Sequence, residues 1–151
     1  MRVYHGTNEH FDTFECPAYF TDNIHTAESF ARRNSGESIV MHCMLDFKNP
    51  LIVDIEGQSW GGFFLQDERL QDECIEYAAC GDEEDLEYFK EQGITINFLA
   101  SYAETLGYDG LIAHDCYEED GRSSTQYVAF HPEQITVIDK EYVKESDLDE
   151  R

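Results

Sequence analysis

Over residues 38–47 the side chains alternate. Ile39, Met41, Cys43 and Leu45 fall on one side, and Val40, His42, Met44 and Asp46 on the other. A period of two held this long is the signature of a strand. Asn49-Pro50 ends it, because proline has no N–H to give a ladder. A strand needs partners, so this run commits the chain to a sheet. Shorter runs supply them at residues 2–5 (closed by Gly6), 18–21, 51–54, 110–114, 126–131 and 135–138.

Helical signals lie between these strands. Ala27, Phe30 and Ala31 form a buried stripe over residues 24–33, with Thr21 or Asp22 as the cap and Asn34-Ser35-Gly36 as the stop. Ile96, Leu99, Ala100, Ala103 and Leu106 carry a second stripe, ended by Gly107. Residues 55–93 are acidic, with helical patches over 69–80 and 82–92 joined at Gly81. Strand-rich ends around a helical middle indicate an α+β fold rather than a doubly wound sheet. The expected organisation is one domain over residues 1–140 with a helical insertion at about 55–93, then an acidic tail over 141–151.

Charge narrows the function classes. The chain carries 33 Asp and Glu against 10 Lys and Arg, a net charge of −23, yet 41% of its residues are hydrophobic. That is enough apolar material for a core, so disorder is not expected. A field of this sign repels a phosphate backbone, which argues against direct nucleic-acid binding and for a basic protein partner, a nucleic-acid-binding protein for example. No apolar run is long enough to span a membrane, and MRVYHGTNEHFDTF has no apolar signal core, so a cytoplasmic protein is expected. The five cysteines, Cys16, Cys43, Cys74, Cys80 and Cys116, are odd in number with no C-x-x-C pair. Reduced thiols and no metal site follow.

Three segments carry chemistry: Val3-Tyr4-His5-Gly6-Thr7, Ala18-Tyr19-Phe20-Thr21-Asp22 before the Ala-rich helix, and Ser124 to Phe130 running into Pro132-Glu133-Gln134-Ile135. With Lys48-Asn49-Pro50-Leu51 and Gly107-Tyr108-Asp109-Gly110 between them, their order and spacing resemble the diphtheria-toxin-like and PARP-like ADP-ribosyltransferases. The match is closest to small phage- and toxin-associated members, and more loosely to ADP-ribosylating anti-CRISPR proteins. The resemblance covers most of the chain outside residues 55–93.

The resemblance implies a fold of split antiparallel β-sheets with flanking helices, NAD as substrate, and mono-ADP-ribosyl transfer to a protein. It implies that His5 bonds the adenosine-side ribose and that the Gly6 backbone holds the nicotinamide carboxamide. Glycine also lets a backbone approach a ligand closely. Tyr19 and Phe30 match the family's aromatics around the nicotinamide, while Thr7 and Phe20 belong to the motifs lining the NAD site. Arg32 and Arg33 are candidate pyrophosphate contacts. Gln126 stands where many active members have Glu, and its neutral amide bonds a ribose hydroxyl more weakly than a carboxylate. Asp115, Glu118, Glu119 or Asp120 can supply the missing charge, Asp115 first among them. On this reading His5→Ala abolishes NAD binding with the fold intact, and Gln126→Glu raises NAD hydrolysis. The rival readings are an NAD glycohydrolase and a non-catalytic acidic binder on the same fold.

Overall fold

The chain runs β1 (Arg2–Thr7), β2 (Ala18–Thr21), α1 (Ile24–Ala31), β3 (Ile39–Leu45), β4 (Pro50–Asp54), α2 (Glu68–Ala79), α3 (Glu83–Gln92), α4 (Ile96–Thr105), β5 (Gly110–Tyr117), β6 (Ser123–Ala129), a 3-10 turn (Pro132–Gln134) and β7 (Ile135–Tyr142). This computed structural model describes residues 1–8, 11, 13–32, 38–118 and 121–143. The strands lie in the order β4-β5-β6-β2-β1-β3-β7. The α+β class holds. The split is a splay within one mixed sheet: β1 and β2 meet at a single residue pair, Tyr4↔Thr21.

β4 and β5 run parallel, in register from Pro50↔Gly110 to Asp54↔His114. Parallel neighbours need a long crossover. The acidic segment with α2 and α3, followed by α4, is that crossover. Ile55, Phe63, Cys74, Ile75, Ile96, Leu99 and Ala103 are buried against Leu111, Ala113, Cys116 and Val128 of β5 and β6. A second core joins Val3, Phe14, Phe20, Ile39, Met41, Cys43 and Ala129. β3 is buried from Ile39 to Cys43, not on alternate residues, because α1 covers its other face beside β1.

Local chemistry moves several expected boundaries. Asn23, not Thr21 or Asp22, caps α1, its Oδ1 accepting from His25 N at 2.9 Å and Thr26 N at 3.4 Å. Asp22 is otherwise engaged: its carboxylate accepts from Thr125 N at 2.9 Å and ties the helix entry to β6. Asp82 and Thr95 cap α3 and α4 through side-chain oxygens. β7 extends through Tyr142 because β3 offers it a partner, Ile39↔Tyr142, so residues 141 and 142 belong to the sheet and not to a tail. Arg33, the 34–36 stop, Glu119, Asp120 and residues 144–151 lie outside the described residues.

Candidate functional site

One row of paired residues crosses the sheet at the splay: His42, Tyr4, Thr21, Gln126 and Ala113, on β3, β1, β2, β6 and β5. Beyond the Tyr4↔Thr21 pair, β1 and β2 part and leave a cavity of about 100 Å³ lined by His5, Gly6, Tyr19, Ala27, Phe30 and Gln126, among others. A second cavity of about 230 Å³ adjoins it, walled by Tyr19, Phe30, Gln126, Trp60, Ile96 and Asn97. Tyr19, Phe30 and Gln126 border both, so the two form one cleft between α1 and the crossover.

His5 lines the smaller cavity only. Its Nδ1 lies 2.6 Å from the Tyr19 carbonyl oxygen. A carbonyl only accepts, so Nδ1 carries the proton and Nε2 is left as an acceptor. The ring packs against Phe14 and Phe20, with centroids 5.1 and 5.6 Å away. Burial lowers the His5 pKa below its ordinary value of 6.5, against a smaller upward pull from the Tyr19 carbonyl. His5 therefore presents a neutral ring and not a cation.

The need for glycine at position 6 comes from inside the fold. A Cβ there would overlap the Ala27 carbonyl oxygen and lie 2.9 Å from the Ala31 nitrogen. The closely approaching backbone is that of α1. This contact seats α1 on β1 and sets Phe30 where the two cavities adjoin.

On the far side, Gln126 is 7% exposed. Its Nε2 donates to Oε1 of Glu118. Glu118, 1% exposed, also accepts from Ser124 Oγ at 2.6 Å. A register shift in β5 puts it there. Ala113 faces Gln126 and Cys116 faces Ser124, so three steps on β5 match two on β6. Asp115 is the extra residue, at φ 57. Strict alternation from Ala113 would turn Asp115 inward; the bulge moves the inward phase to Cys116 and then Glu118. The first-named acidic candidate is thereby corrected: Asp115 is exposed, and Glu118 meets Gln126. The bulge also docks the crossover, through Gly57 N to Asp115 O at 2.8 Å and Tyr117 N to Gln58 O at 3.0 Å.

Thus His5, Gly6, Tyr19, Phe20, Phe30 and Gln126 converge on the cleft. Phe20 does so mainly as a core residue, 2% exposed. Thr7 pairs with Ile39 and lines neither cavity. Arg32 lines neither either: it caps α1 and pairs with Glu28 at 3.6 Å. Trp60 and Asn97 were missed. The signal for the first was available: it is the chain's single tryptophan, followed by Gly61-Gly62 within an acidic stretch.

The cysteines are free. Burial pushes the Cys43, Cys74 and Cys116 thiols up to about 12, which leaves them unreactive. Among the described residues no His, Cys, Asp and Glu cluster can hold a metal ion, and no helix is long and apolar enough to cross a membrane.

The family model for the ADP-ribosyltransferase in polyvalent proteins matches residues 1–145, and the chain belongs to that family. No curated protein and no solved structure matches it at a significant level.

Proposed function

We propose that the cleft at the splay binds NAD and that the chain transfers a single ADP-ribose unit to a protein with a basic surface. The observation that carries this reading is the convergence of His5, Gly6, Tyr19, Phe30 and Gln126, from β1, β2, α1 and β6, on one cleft. In the reaction the nicotinamide–ribose C–N bond breaks and its electron pair leaves on nicotinamide. An acceptor lone pair then bonds the anomeric carbon, and the acceptor loses a proton.

Each side chain has a task within its geometry. His5 Nε2 accepts a hydrogen bond from a ribose hydroxyl. The Gly6 backbone meets the carboxamide. Tyr19 and Phe30 flank the pyridinium ring, a contact of about 1 kcal/mol. Gln126 orients the ribose next to the breaking bond, and Trp60 with Ile96 closes the cleft from the crossover side. The absence of ionisable side chains among the described residues lining the cleft, apart from His5 and the tyrosines, suits a reaction that needs orientation and exclusion of water. The five thiols and the use of NAD are consistent with a cytoplasmic setting.

The net charge of −23 supports a basic partner, a nucleic-acid-binding protein being one such class. The exposed acidic first turn of α3 (Glu83, Glu84, Asp85) supplies part of that field. Incubation with NAD labelled in the adenylate moiety, with and without basic candidate proteins, tests the reading. Label on protein is the expected result. Free ADP-ribose alone makes the chain a glycohydrolase, and intact NAD makes it a non-catalytic binder.

A further inference from the structure

A glutamine at a position read as contacting a ribose hydroxyl poses a problem of orientation. An amide has one accepting end and one donating end, and either can face the ligand. A carboxylate has no such ambiguity. Glu118 removes the ambiguity from Gln126. It is buried and accepts both from Ser124 Oγ, at 2.6 Å, and from Gln126 Nε2. Turning the amide over would set oxygen against oxygen, with no proton between them. The amide nitrogen is therefore held toward Glu118, and Oε1 is the polar atom left over. Among the described residues nothing donates to that oxygen, and Gln126 borders both cavities.

We propose that Glu118 is a positioning residue that fixes the Gln126 amide with its oxygen toward the cleft, so that glutamine presents the same accepting face as a carboxylate. The proposal rests on the NAD reading above for the identity of the donor, a ribose hydroxyl. The fixed amide itself does not depend on that reading. The arrangement keeps the Glu118 carboxyl group one side chain behind the cleft, where its hydrogen bond polarises the amide toward its oxygen. It also reverses the effect expected for Gln126→Glu. That substitution sets two carboxylates side by side, and like charges at that separation disfavour ionisation of both. The single variant then loses activity.

A carboxylate at position 126 needs no positioning partner, and this gives the test. Nicotinamide release from NAD is measured for wild type, Glu118→Ala, Glu118→Gln, Gln126→Glu and the double variant Glu118→Ala/Gln126→Glu. Glu118→Ala should lower kcat roughly tenfold or more, with KM for NAD changed far less. Glu118→Gln covers the case in which the alanine variant fails to fold, and it should also lose kcat, because a second amide can meet Gln126 by either end. The double variant should recover to within about threefold of wild type and exceed Gln126→Glu alone. A double variant as poor as Glu118→Ala means that Glu118 only supports the fold and overturns the proposal. A second readout needs no activity. The Gln126 side-chain NH₂ signals, assigned by their loss in Gln126→Ala, should be widely split and slow to exchange in wild type, and should collapse in Glu118→Gln. Unchanged signals overturn the proposal. Wild type that releases no nicotinamide but shows the protected amide sinks the NAD reading and leaves the positioning intact.

Discussion

The first helix and the third are short and opposite in construction. α1 buries Thr26, Ala27 and Ala31, has no acidic residue in its first turn and no basic one in its last, and lies so close to β1 that only glycine fits beneath it. α3 buries no residue and opens on Glu83, Glu84 and Asp85. One is a wall of the cleft, placed by backbone contact. The other is a charged outer layer of the crossover. The contrast separates the proposed site from the charge: the cleft lies not where acidic residues are densest, but where two strands part under a tightly seated helix. The Glu118 carboxyl group acts on the cleft wall from behind, through Gln126.

The largest expected effect falls on the seat of α1. Gly6→Ala should cost about 3 kcal/mol by overpacking, with loss of NAD binding, because α1 must lift. Gly81→Ala, in the crossover, is the control. Its φ is +84 and nothing lies near the added Cβ, so only left-handed strain remains, about 1 kcal/mol. Urea denaturation of both compares the two regions; equal losses would mean α1 is not seated as described.

The cleft side chains come next. His5→Ala should remove NAD binding, but the fold does not escape untouched as the sequence suggested. The ring is packed among Phe11, Phe14 and Phe20, and its loss leaves a void costing about 2 kcal/mol. Phe30→Ala should weaken NAD binding roughly tenfold with less effect on stability. Calorimetry and thermal melts on the same samples separate the two effects.

His5 also has a pH signature. Its folded pKa lies below 6.5, so as pH falls through 6.5 the unfolded chain takes up this proton first. The contribution to stability is present above 6.5 and is lost below it. The His5 ring should remain neutral by NMR at pH values where a free imidazole is already protonated. A His5 that titrates at or above 6.5 would contradict the neutral tautomer.

The smallest effect on chemistry belongs to α3. Glu83→Gln/Glu84→Gln/Asp85→Asn should leave NAD turnover unchanged and weaken only the partner. Wild-type affinity for a basic partner should fall about tenfold between 0.05 and 0.5 M salt, as screening shortens from roughly 10 Å at 0.1 M toward 3 Å at 1 M. A flat salt profile would assign the acidity to solubility.

Most strands and helices were legible because their periodicities are regular and tertiary packing does not contradict them. Ala27 and Ala31 of the first helix stripe and Ile96, Leu99, Ala100 and Ala103 of the second are buried, whereas Phe30 is half-buried at the cleft and Leu106 is an exposed residue just past α4. What was not legible depended on interactions across the sheet. The parallel pairing of β4 with β5 is a matter of topology, which local pattern does not encode. β7 reads through polar Asp139, Lys140 and Glu141 only because β3 lies beside it. Which of the four acidic candidates turns inward was not legible, because a bulge at Asp115 changes the phase of β5, and nothing in a period-two reading announces an extra residue. Gly6 was recognised as special, but the backbone it makes room for belongs to α1.

The most direct test of where this chain keeps its chemistry is an NMR titration of the ¹⁵N-labelled protein with NAD. Shifts are expected at the Gly6 and Phe30 amides and at the Gln126 side-chain NH₂, saturating together with one affinity, while the amides of α3 stay still. Shifts confined to the crossover helices α2 and α3, or none at saturating NAD, would contradict the NAD reading of the cleft.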